Sequence, residues 1–392
     1  MSPDLDTPLI FLLAGEPSGD ILGGRLMAAL KARTGGRIRF AGVGGEHMEE
    51  QGLNSLYPMS DLSVMGLTEV LPHLPKLLRR LRETVDSAIR LDPTALVTID
   101  SPDFCFRVAR RLKGRGMPMI HYVAPSVWAW KPGRARKIAG FLDHLLALLP
   151  FEPPYFERVG LGCTFVGHPV VESAADHGDG AKFRRQHNIE KDVPLICVLP
   201  GSRSGETTRL LPIFGSTLSL LKQRRPNIQA VVPTVRGVAT TVETAVAGWP
   251  VPTLVVRNDT EKFDAFAASD AALAASGTVS LELAMARLPA VIAYRVNPMT
   301  AWLARRLLRI RHVSLVNIIM GREIVPERLQ DDCRPEVLAA DIERLLGDPS
   351  IRLSQTQAAM DALVQLGFGD TPPSQRAAEA VLAVLAAHGR KV

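Results

Sequence analysis

The sequence reads LIFLLAGEPSGD from Leu9 to Asp20, an apolar run that passes directly into a turn of small and polar residues. A helical pattern follows over Ser18–Arg33. A buried strand, a glycine-containing turn and a helix N-terminus form the unit from which α/β proteins build ligand sites. The turn lacks the glycine spacing of dinucleotide folds and the Gly-Lys pair of a P-loop, and it carries a carboxylate, Glu16. The stretch therefore predicts an α/β fold, while its acid argues against a phosphate loop.

Strand-like apolar runs alternate with helical patterns along almost the whole chain, in two series. The first series comprises Leu9–Leu13, Ile38–Val43, Ala95–Ile99, Met119–Val123, Leu145–Leu149 and Thr164–Val166. The second comprises Leu195–Leu199, Ala230–Val232, Thr253–Val256, Ala271–Ala274 and Ala290–Tyr294. Strands that alternate with helices pair in parallel, with helices on both faces of the sheet. The pattern therefore predicts two Rossmann-like α/β halves.

A polar segment, Val171–Asp192, separates the two series and is typical of a domain linker. We expect an N-terminal domain over residues 1–172, a second domain over residues 190–347 and a helical tail over residues 348–392. Two such halves predict a bilobed protein with a cleft between the domains. The tail is expected to pack on an N-terminal domain, either its own or that of a second chain.

The composition fits two globular domains and favours an anionic partner. Hydrophobic residues make up 46% of the 392 residues, which is enough apolar material for two buried cores. No run approaches the roughly 18 apolar residues of a membrane span. The net charge of +6 indicates a phosphorylated substrate, a membrane surface or nucleic acid as partner. Only 5% of the residues are aromatic, which argues against single-stranded nucleic acid because that ligand needs stacking partners.

The segment SGTVSLE, Ser276–Glu282, is the first candidate for a phosphate site. It follows a predicted strand and starts a helix, and the small residues Ser276, Gly277 and Thr278 let backbone N–H groups approach a diphosphate. The helix dipole favours the anion, and Glu282 could accept both hydroxyls of a ribose. A helix capped by Ser276 or Thr278, with an exposed Glu282, is an equally good interpretation of this segment alone.

The segment LPGSR, Leu199–Arg203, is the second candidate. Its Gly-Ser turn offers N–H donors at another strand end, and Arg203 can bind a phosphate bidentately. Taken alone, an ordinary β-to-α turn with a surface arginine explains this segment better. Two such segments at strand ends in the same half of the chain together favour a nucleotide-diphosphate site.

The first half of the chain offers acids at the corresponding positions. Glu16 follows the first predicted strand, and Asp100 and Asp103 follow the strand Ala95–Ile99. Because the carboxyl ends of parallel strands share one edge of a sheet, Glu16 and Asp100 would face one site, where either could act as a general base. Helix capping is the alternative, and it explains Asp103 better than Asp100. Metal binding is not indicated, since no His, Cys, Asp or Glu cluster has ligand spacing.

The stretch LPHLPKLLRRLRETV, residues 71–85, predicts a basic amphipathic helix. Its apolar stripe and neighbouring cations include Leu74, Leu77, Leu78, Leu81, Arg79 and Arg80. Such a helix suits an anionic membrane surface. A core-facing helix with a solvated basic face is the commoner arrangement, and the residues alone favour it.

Nine segments together resemble one family, the bacterial lipid-A-disaccharide synthases, which are glycosyltransferases of the GT-B class. The segments are AGEPSGD (Ala14–Asp20), VMGLTEVL (Val64–Leu71), IDSPDF (Ile99–Phe104), HYVAPSVWAWK (His121–Lys131), LLPFE (Leu148–Glu152), VGHP (Val166–Pro169), LPGSR, SGTVSLE and VSLVNIIMGREIVPERLQ (Val313–Gln330). They run in order along the chain, and the first and fourth are far more specific than a generic glycine loop. The resemblance implies two Rossmann-like domains facing across a cleft, with a helical C-terminal tail.

The resemblance implies a reaction of lipopolysaccharide assembly. The family joins UDP-2,3-diacylglucosamine to 2,3-diacylglucosamine 1-phosphate and gives a β-1,6-linked tetraacyl disaccharide 1-phosphate and UDP. An α-linked donor that gives a β-linked product requires inversion, hence one general base and stabilisation of the leaving diphosphate. Neither a metal ion nor another cofactor is implied.

Individual site residues follow from the resemblance position by position. Asp100 matches the suspected general base, and Glu16 is the second candidate for it. The implied UDP-sugar contacts are Arg203, Ser276, Gly277, Thr278, Glu282, Asn317 and Gln330.

Both implied substrates carry acyl chains, so the resemblance also implies work at a membrane. The Leu/Arg helix becomes the expected docking element of a cytoplasmic protein that binds peripherally to the anionic inner face of the inner membrane of a Gram-negative cell. No nucleic-acid partner is implied, and the protein would be a monomer or a homodimer. Another UDP-sugar GT-B enzyme, such as a UDP-N-acetylglucosamine 2-epimerase, and a non-catalytic UDP-sugar-binding module are the alternatives.

Overall fold

A computed structural model describes residues 7–62, 67–130, 133–307 and 310–390. Two motif positions of the sequence analysis, Val64–Gly66 and Lys131, lie outside these ranges. The chain divides into two compact units, the first comprising Met1–Pro169 and Gly369–Val392 and the second Val170–Phe368. Each unit contains a six-stranded sheet, and every strand pair in both sheets is parallel. The predicted α/β class with two parallel sheets is therefore confirmed.

The sheet of the first unit has the strand order β2-β1-β3-β4-β5-β6. Its strands are β1 (Leu9–Ala14), β2 (Arg39–Val43), β3 (Ala95–Ile99), β4 (Met119–Tyr122), β5 (His144–Ala147) and β6 (Gly162–Phe165). The helices of this unit are α1 (Pro17–Thr34), α2 (Glu46–Glu50), α3 (Leu67–Leu91), α4 (Pro102–Leu112), α5 (Gly133–Ala139), α6 (Pro153–Glu157) and α16 (Pro373–Ala387). Helix α3 includes the predicted amphipathic stretch.

Both faces of this sheet are buried, as β1 illustrates. Phe11 and Leu13 belong to a core that residues of α3 and α4 complete. Ile10 and Leu12 belong to a second core, which residues of α1 and α16 complete. A strand buried on both faces needs apolar side chains at every position, which explains the uninterrupted run at the start of the sequence.

The sheet of the second unit has the order β12-β11-β10-β7-β8-β9. Its strands are β7 (Leu195–Leu199), β8 (Gln229–Pro233), β9 (Thr253–Val256), β10 (Ala271–Ala275), β11 (Ala290–Tyr294) and β12 (Glu327–Leu329). Its helices are α7 (Gly180–Gln186), α8 (Ser204–Arg224), α9 (Ala239–Val246), α10 (Asp259–Ala268), α11 (Val279–Met285), α12 (Pro298–Leu307), α13 (Leu315–Met320), α14 (Pro335–Gly347) and α15 (Pro349–Gln365). None of the helices in the described part of the chain is long and apolar enough to cross a membrane.

The two last helices belong to different units. Helix α15 packs in the second unit, where the Gln355 amide bonds to both backbone groups of Ala290, at 2.7 and 3.1 Å. Helix α16 packs along α1 in the first unit, and Arg33 forms an ion pair with Glu379 across that contact. The sequence pattern predicts one helical tail beginning at residue 348 that contains both helices, whereas the structural division falls at Gly369.

Asp20, the last residue of AGEPSGD, holds the first unit together locally. It is buried, and its carboxylate accepts three backbone N–H groups at the start of α2, from Gly45 at 2.8 Å, His47 at 3.0 Å and Met48 at 3.1 Å. These are N–H groups that a helix start leaves without intrahelical acceptors. One acid of the motif is therefore structural, and the other, Glu16, is the candidate for chemistry.

Replacing Asp20 with alanine should destabilise the first unit, because three backbone N–H groups, one of them buried and two part-buried, lose their acceptor. We expect Asp20→Ala to lower the free energy of unfolding by about 2–3 kcal/mol, measured by urea denaturation. Glu49→Ala, an exposed carboxylate on the same short helix, serves as the control and should change stability by less than about 0.5 kcal/mol. Equal unfolding midpoints for the two variants would refute this role of Asp20.

Candidate functional site

The first candidate region lies where β1 and β3 end. These strand ends are paired in register, so the turns that follow them, with Glu16 and Asp100, are neighbours at one edge of the sheet. The Ser18 hydroxyl donates to Asp100 Oδ2 at 3.2 Å, and the Ser101 hydroxyl donates to Glu16 Oε1 at 3.3 Å. Ser18 follows Glu16 in the chain and bonds Asp100, whereas Ser101 follows Asp100 and bonds Glu16. The structure thus brings the two predicted acids into one hydrogen-bonded region.

The backbone around Asp100 adopts a conformation that most residues avoid. The φ angles are 51° at Asp100 and 41° at Ser101, and Val123, at the end of the neighbouring strand β4, has a φ of 79°. Positive φ is unfavourable for non-glycine residues, most of all for a β-branched one, and such strain clusters at functional sites. Gly15 is needed for the close approach, because a Cβ there would lie 2.7 Å from Ser101 Oγ. The turn is held in place by the Asp100 N–H, which donates to Tyr122 O at 3.0 Å.

Glu152 is a buried acid of the first unit to which the sequence analysis assigns no role. Trp128 Nε1 donates to its Oε1 at 3.1 Å, and the Leu149 N–H donates to its Oε2 at 3.0 Å. Burial raises the pKa of Glu152 to about 7, although these hydrogen bonds lower it. Both carboxylate oxygens accept hydrogen bonds from the protein, so Glu152 links the segment HYVAPSVWAWK to the turn after β5. In the sequence, the feature that could have indicated this role is the position of Glu152 as the acid that ends the otherwise apolar segment LLPFE.

The second candidate region lies where β7 and β10 end, which are also neighbours in register. In the segment LPGSR, Gly201 has a φ of 106°, which only glycine adopts without strain. Arg203 precedes α8, and its largely exposed guanidinium lies 3.6 Å from the Glu206 carboxylate. The N–H groups of Ser204 and Gly205 have no acceptor among the described residues. Open N–H donors at a helix start, beside an exposed guanidinium, suit an anion.

The segment SGTVSLE forms the adjacent turn. Ser276 is fixed by its hydroxyl, which donates to Val313 O at 3.1 Å. Gly277 and Thr278 are exposed, and their N–H groups find no acceptor in the part of the chain that the structure describes. The Thr278 side chain makes no capping hydrogen bond to α11. The helix-capping interpretation therefore does not account for this turn.

Glu282 forms an ion pair that the sequence does not reveal. Lys262 Nζ of α10 lies 3.1 Å from Glu282 Oε1 and 3.0 Å from Oε2, and it also lies 4.9 Å from the ring centroid of Phe263. Both partners are largely covered by protein, so Glu282 is not the exposed acid of the alternative interpretation. Lys262 escapes sequence reasoning because it is 20 residues away, on a helix that only the fold brings beside α11.

Asn317 is a structural residue, which corrects the contact expected for it. It is fully buried, its Oδ1 accepts the N–H groups of Ile324 and Val325, and its Nδ2 donates to Val325 O and to Glu327 Oε1, all within 2.7–2.9 Å. An amide side chain has two donors and two acceptor positions, and all four are used. Asn317 therefore has no group left for a nucleotide and instead holds the loop that leads into β12.

Gln330 lies at the edge of a cavity of about 580 Å³, which Arg209, Arg295 and Trp302 also line. It has a φ of 50°. When the Gln330 amide nitrogen faces Val296 O, it donates to that oxygen at 3.2 Å, and the Gln330 amide oxygen accepts the Val296 N–H at 3.2 Å. The nucleotide or sugar contact expected for Gln330 stays a prediction.

Helix α3 divides the predicted docking residues into two groups. Leu74 and Leu78 are 37% and 41% exposed, whereas Leu81 is 2% exposed and packs in the core, which corrects its assignment to a surface. Arg80 is also engaged: it bonds Asp61 at 2.7 Å and Glu83 at 2.6 Å. The remaining predicted residues are Arg79, which is exposed, and Leu77, which is half-buried. Among the described side chains, Leu74, Leu78 and Arg79 are therefore the predicted docking residues that are exposed, and the whole stripe is not.

Comparisons with known proteins identify a family that matches almost the whole chain. The family described as lipid-A-disaccharide synthetase matches residues 10–379. The lipid-A-disaccharide synthase of Rhodospirillum centenum is 62% identical over 379 residues, covering 96% of this chain and 94% of the relative. That of Paramagnetospirillum magneticum is 57% identical over 378 residues, covering 95% and 97%.

Two solved structures share the fold at low identity. UDP-GlcNAc 2-epimerase from Neisseria meningitidis, bound to UDP-GlcNAc, gives a TM-score of 0.63 at 10% identity and covers 97% of this chain and 100% of its own. MurG from Acinetobacter baumannii gives a TM-score of 0.57 at 14% identity, with coverages of 97% and 99%. At these identities the likeness concerns the fold alone.

Removing the Glu152 carboxyl should remove a pH dependence of stability. Its pKa is near 4.5 when unfolded and about 7 when folded, so between these values the folded state keeps a proton that the unfolded state has released. The free energy of unfolding of the native protein should therefore fall between about pH 5 and pH 7, by on the order of 3 kcal/mol relative to Glu152→Gln, and level off above that range.

The measurement is urea denaturation of both proteins at several pH values from 5 to 8. Glu157→Gln, an exposed carboxyl on α6, serves as the matched control and should leave the pH profile of the native protein unchanged. Parallel profiles for the native protein and Glu152→Gln would show that the Glu152 proton does not contribute to stability.

Proposed function

Because the chain belongs to the lipid-A-disaccharide synthase family, we propose that it carries out the glycosyl transfer of that family. In this proposal Asp100 is the general base, and the turns after β7 and β10 bind the diphosphate. The enzyme is a GT-B glycosyltransferase that joins UDP-2,3-diacylglucosamine to 2,3-diacylglucosamine 1-phosphate and releases UDP. The observation that carries this function is the 62% identity over 96% of the chain. The 2-epimerase alternative is not favoured, since that likeness is one of fold at 10% identity.

Asp100 is our candidate for the group that activates the acceptor. In a single inverting displacement the acceptor's 6-hydroxyl attacks the anomeric carbon opposite the diphosphate, and a base accepts its proton. Asp100 is half-exposed at a strand end, and Ser18 bonds one carboxylate oxygen, Oδ2. The other oxygen has no donor among the described residues and is available for a hydroxyl. The strained turn fixes the direction of the carboxylate before the substrate arrives.

Glu16 remains the second candidate for the base. Its Oε1 accepts the Ser101 hydroxyl, so it is coupled to the turn that carries Asp100. We assign Glu16 to the acceptor side of the reaction, where a carboxylate suits a sugar hydroxyl and would repel a diphosphate. In this assignment Glu16 orients the acceptor while Asp100 takes the proton.

The turns after β7 and β10 would stabilise the leaving UDP. The N–H groups of Ser204, Gly205, Gly277 and Thr278 can donate to phosphate oxygens, and Arg203 adds an exposed positive charge. Fixed donors aimed at developing negative charge stabilise a transition state more than a ground state, because they need no reorganisation during the reaction. The need to bring these N–H donors close to the phosphates accounts for the small residues in both turns.

The ion pair between Glu282 and Lys262 suits recognition of the ribose. A carboxylate held by a lysine keeps lone pairs for two vicinal hydroxyls, since Lys262 occupies one side of the group. Lys262 also compensates the negative charge of Glu282 near an anionic ligand. We therefore assign Glu282 to the ribose and Lys262 to its positioning.

Membrane docking through the start of α3 is a further part of the proposal. Leu74 and Leu78 are exposed apolar side chains beside the exposed Arg79, a pattern suited to the headgroup region of an anionic bilayer. Acylated substrates reside in such a bilayer, so an enzyme attached to the inner face of the inner membrane would meet them there. The oligomeric form, monomer or homodimer, stays a prediction.

Asp100→Asn should abolish turnover and leave UDP binding intact. The amide cannot accept the proton, so kcat should fall roughly 10²–10⁴-fold, as measured by mass spectrometry of the disaccharide product. The UDP dissociation constant, from calorimetry, should change by less than about threefold because the donor turns lie in the other unit. Asp86→Asn, an exposed acid on α3, is the control and should retain wild-type rates.

Two outcomes would contradict this assignment. Rates for Asp100→Asn within about threefold of the native enzyme would exclude Asp100 as the base. A large loss of kcat for Glu16→Gln, combined with an active Asp100→Asn, would transfer the role to Glu16.

The double change Leu74→Ser with Leu78→Ser should weaken binding to anionic vesicles roughly tenfold, because two exposed leucines no longer enter the lipid. Co-sedimentation with phosphatidylglycerol vesicles measures this. The control is Ile89→Ser with Leu91→Ser, which removes equally exposed apolar side chains, 37% and 40%, from the far end of the same helix. Equal binding of both double variants would exclude the start of α3 as the docking element.

A further inference from the structure

A cavity of about 760 Å³ lies between α4 and α5 in the first unit, separate from the strand-end turns with Glu16 and Asp100. Four cations line it, Arg107 and Arg110 from α4 and Arg134 and Lys137 from α5. The residues on each helix are three apart, which places them on one helix face. The two helices therefore present their cations toward the same space.

These cations have no anionic partner among the described residues. None of the four forms an ion pair with a carboxylate in the ranges that the structure describes. Arg110 and Arg134 instead lie over aromatic rings, with Cζ 4.7 Å from the centroid of Phe141 and 5.7 Å from that of Phe106. A stacked guanidinium uses its flat face, so its N–H edge stays available to bind a planar or tetrahedral oxyanion.

The charge balance of the cavity favours an anion. The four cations share the lining with one carboxylate, Asp103, which leaves an excess of three positive charges. Like charges that face one space repel each other, and a multivalent anion removes this repulsion while gaining charge-assisted hydrogen bonds. A phosphate monoester, which carries up to two negative charges, fits this requirement better than a carboxylate.

The position of the cavity indicates which molecule carries the phosphate. Pro102 lines the cavity and lies two residues after Asp100, so the Cα of this lining residue is within about 7 Å of the Asp100 Cα. That separation is about the width of a sugar ring. Trp130, 38% exposed, lines the same cavity and offers an apolar surface next to the cations.

We propose that this cavity binds the phosphate of the acceptor, so that the sugar spans from the phosphate site to Asp100 and presents its far hydroxyl there. The proposal rests on the proposed function, since it places one substrate of that reaction. Phosphate headgroups of bulk membrane lipids share the same chemistry. The closeness to Asp100 favours the acceptor as the source, and it explains how an acceptor is recognised by a group remote from its reacting hydroxyl.

The test compares two double variants of the full-length enzyme. Arg107→Gln with Lys137→Gln removes two cavity cations, and Arg111→Gln with Arg136→Gln removes two exposed cations from the same helices outside the cavity. Initial rates are measured in detergent micelles with 2,3-diacylglucosamine 1-phosphate and with 2,3-diacylglucosamine. The readout is the ratio of kcat/KM for the phosphorylated acceptor to that for the unphosphorylated one.

We expect this ratio to fall roughly tenfold or more in the cavity variant, mainly through KM of the phosphorylated acceptor, and to stay unchanged in the control. An unchanged ratio in the cavity variant would overturn the proposal. Thermal unfolding of both variants checks the fold, and if the double variant unfolds, single Arg107→Gln and Lys137→Gln variants should each lower the ratio by a smaller factor.

Two further results distinguish an acceptor site from a site for bulk lipid, and a failed cavity assignment from a failed function. Loss of binding to phosphatidylglycerol vesicles in the cavity variant alone, with the ratio intact, would assign the cavity to bulk lipid headgroups and overturn the acceptor site. A native enzyme that forms no disaccharide with either acceptor would refute the proposed function itself, before the cavity variants are compared.

Discussion

The parallel pairing of β1 with β3 is the interaction on which the candidate acceptor side depends. It sets the ends of two fully buried strands beside each other, so the first polar residues that follow, Glu16 and Asp100, emerge on adjacent turns. A shift of one residue in that register would turn every side chain of the shifted strand to the other face of the sheet. The pairing of β7 with β10 does the same for the turns with Arg203 and Thr278. In each unit, the burial of the strands on both faces confines polar chemistry to the sheet edge.

Neighbouring acids in one short motif illustrate how burial separates structure from chemistry. Asp20 is buried and saturated by three backbone donors, so it stabilises the start of α2 and has little capacity left for a ligand. Glu16, four residues earlier, is half-exposed, and its Oε1 accepts a serine hydroxyl from the turn of the other candidate acid. A similar contrast separates Asn317, whose four hydrogen-bonding positions are filled, from Gln330 at the edge of a cavity. Side-chain type alone does not distinguish the members of such pairs.

Much of the fold was predictable from the sequence because it depends on local patterns. Continuous apolar runs mark the strands, and the alternation with helices requires parallel sheets. The strand-end turns were predictable for the same reason. The Glu282–Lys262 pair was not, since a separation of 20 residues becomes a contact only through packing of α10 beside α11. Likewise, the periodicity of α3 shows a stripe, but only the structure shows that Leu81 enters the core while Leu78 stays outside. Helical spacing shows on which face of a helix a side chain lies, but it does not show what covers that face.

The packing of α16 on α1 has a consequence for the synthesis of the chain. The first unit takes its last helix from residues 373–387, so the apolar surface of α1 that this helix covers stays open until those residues have left the ribosome. The second unit, Val170–Phe368, has all of its strands and helices available earlier and can complete its core first. We therefore expect the second unit to complete its core before the first, which is the reverse of the usual N-to-C order of domain folding. A product that lacks α16 would expose the apolar surface that this helix covers, and quality-control proteases and chaperones act on chains that expose such surface.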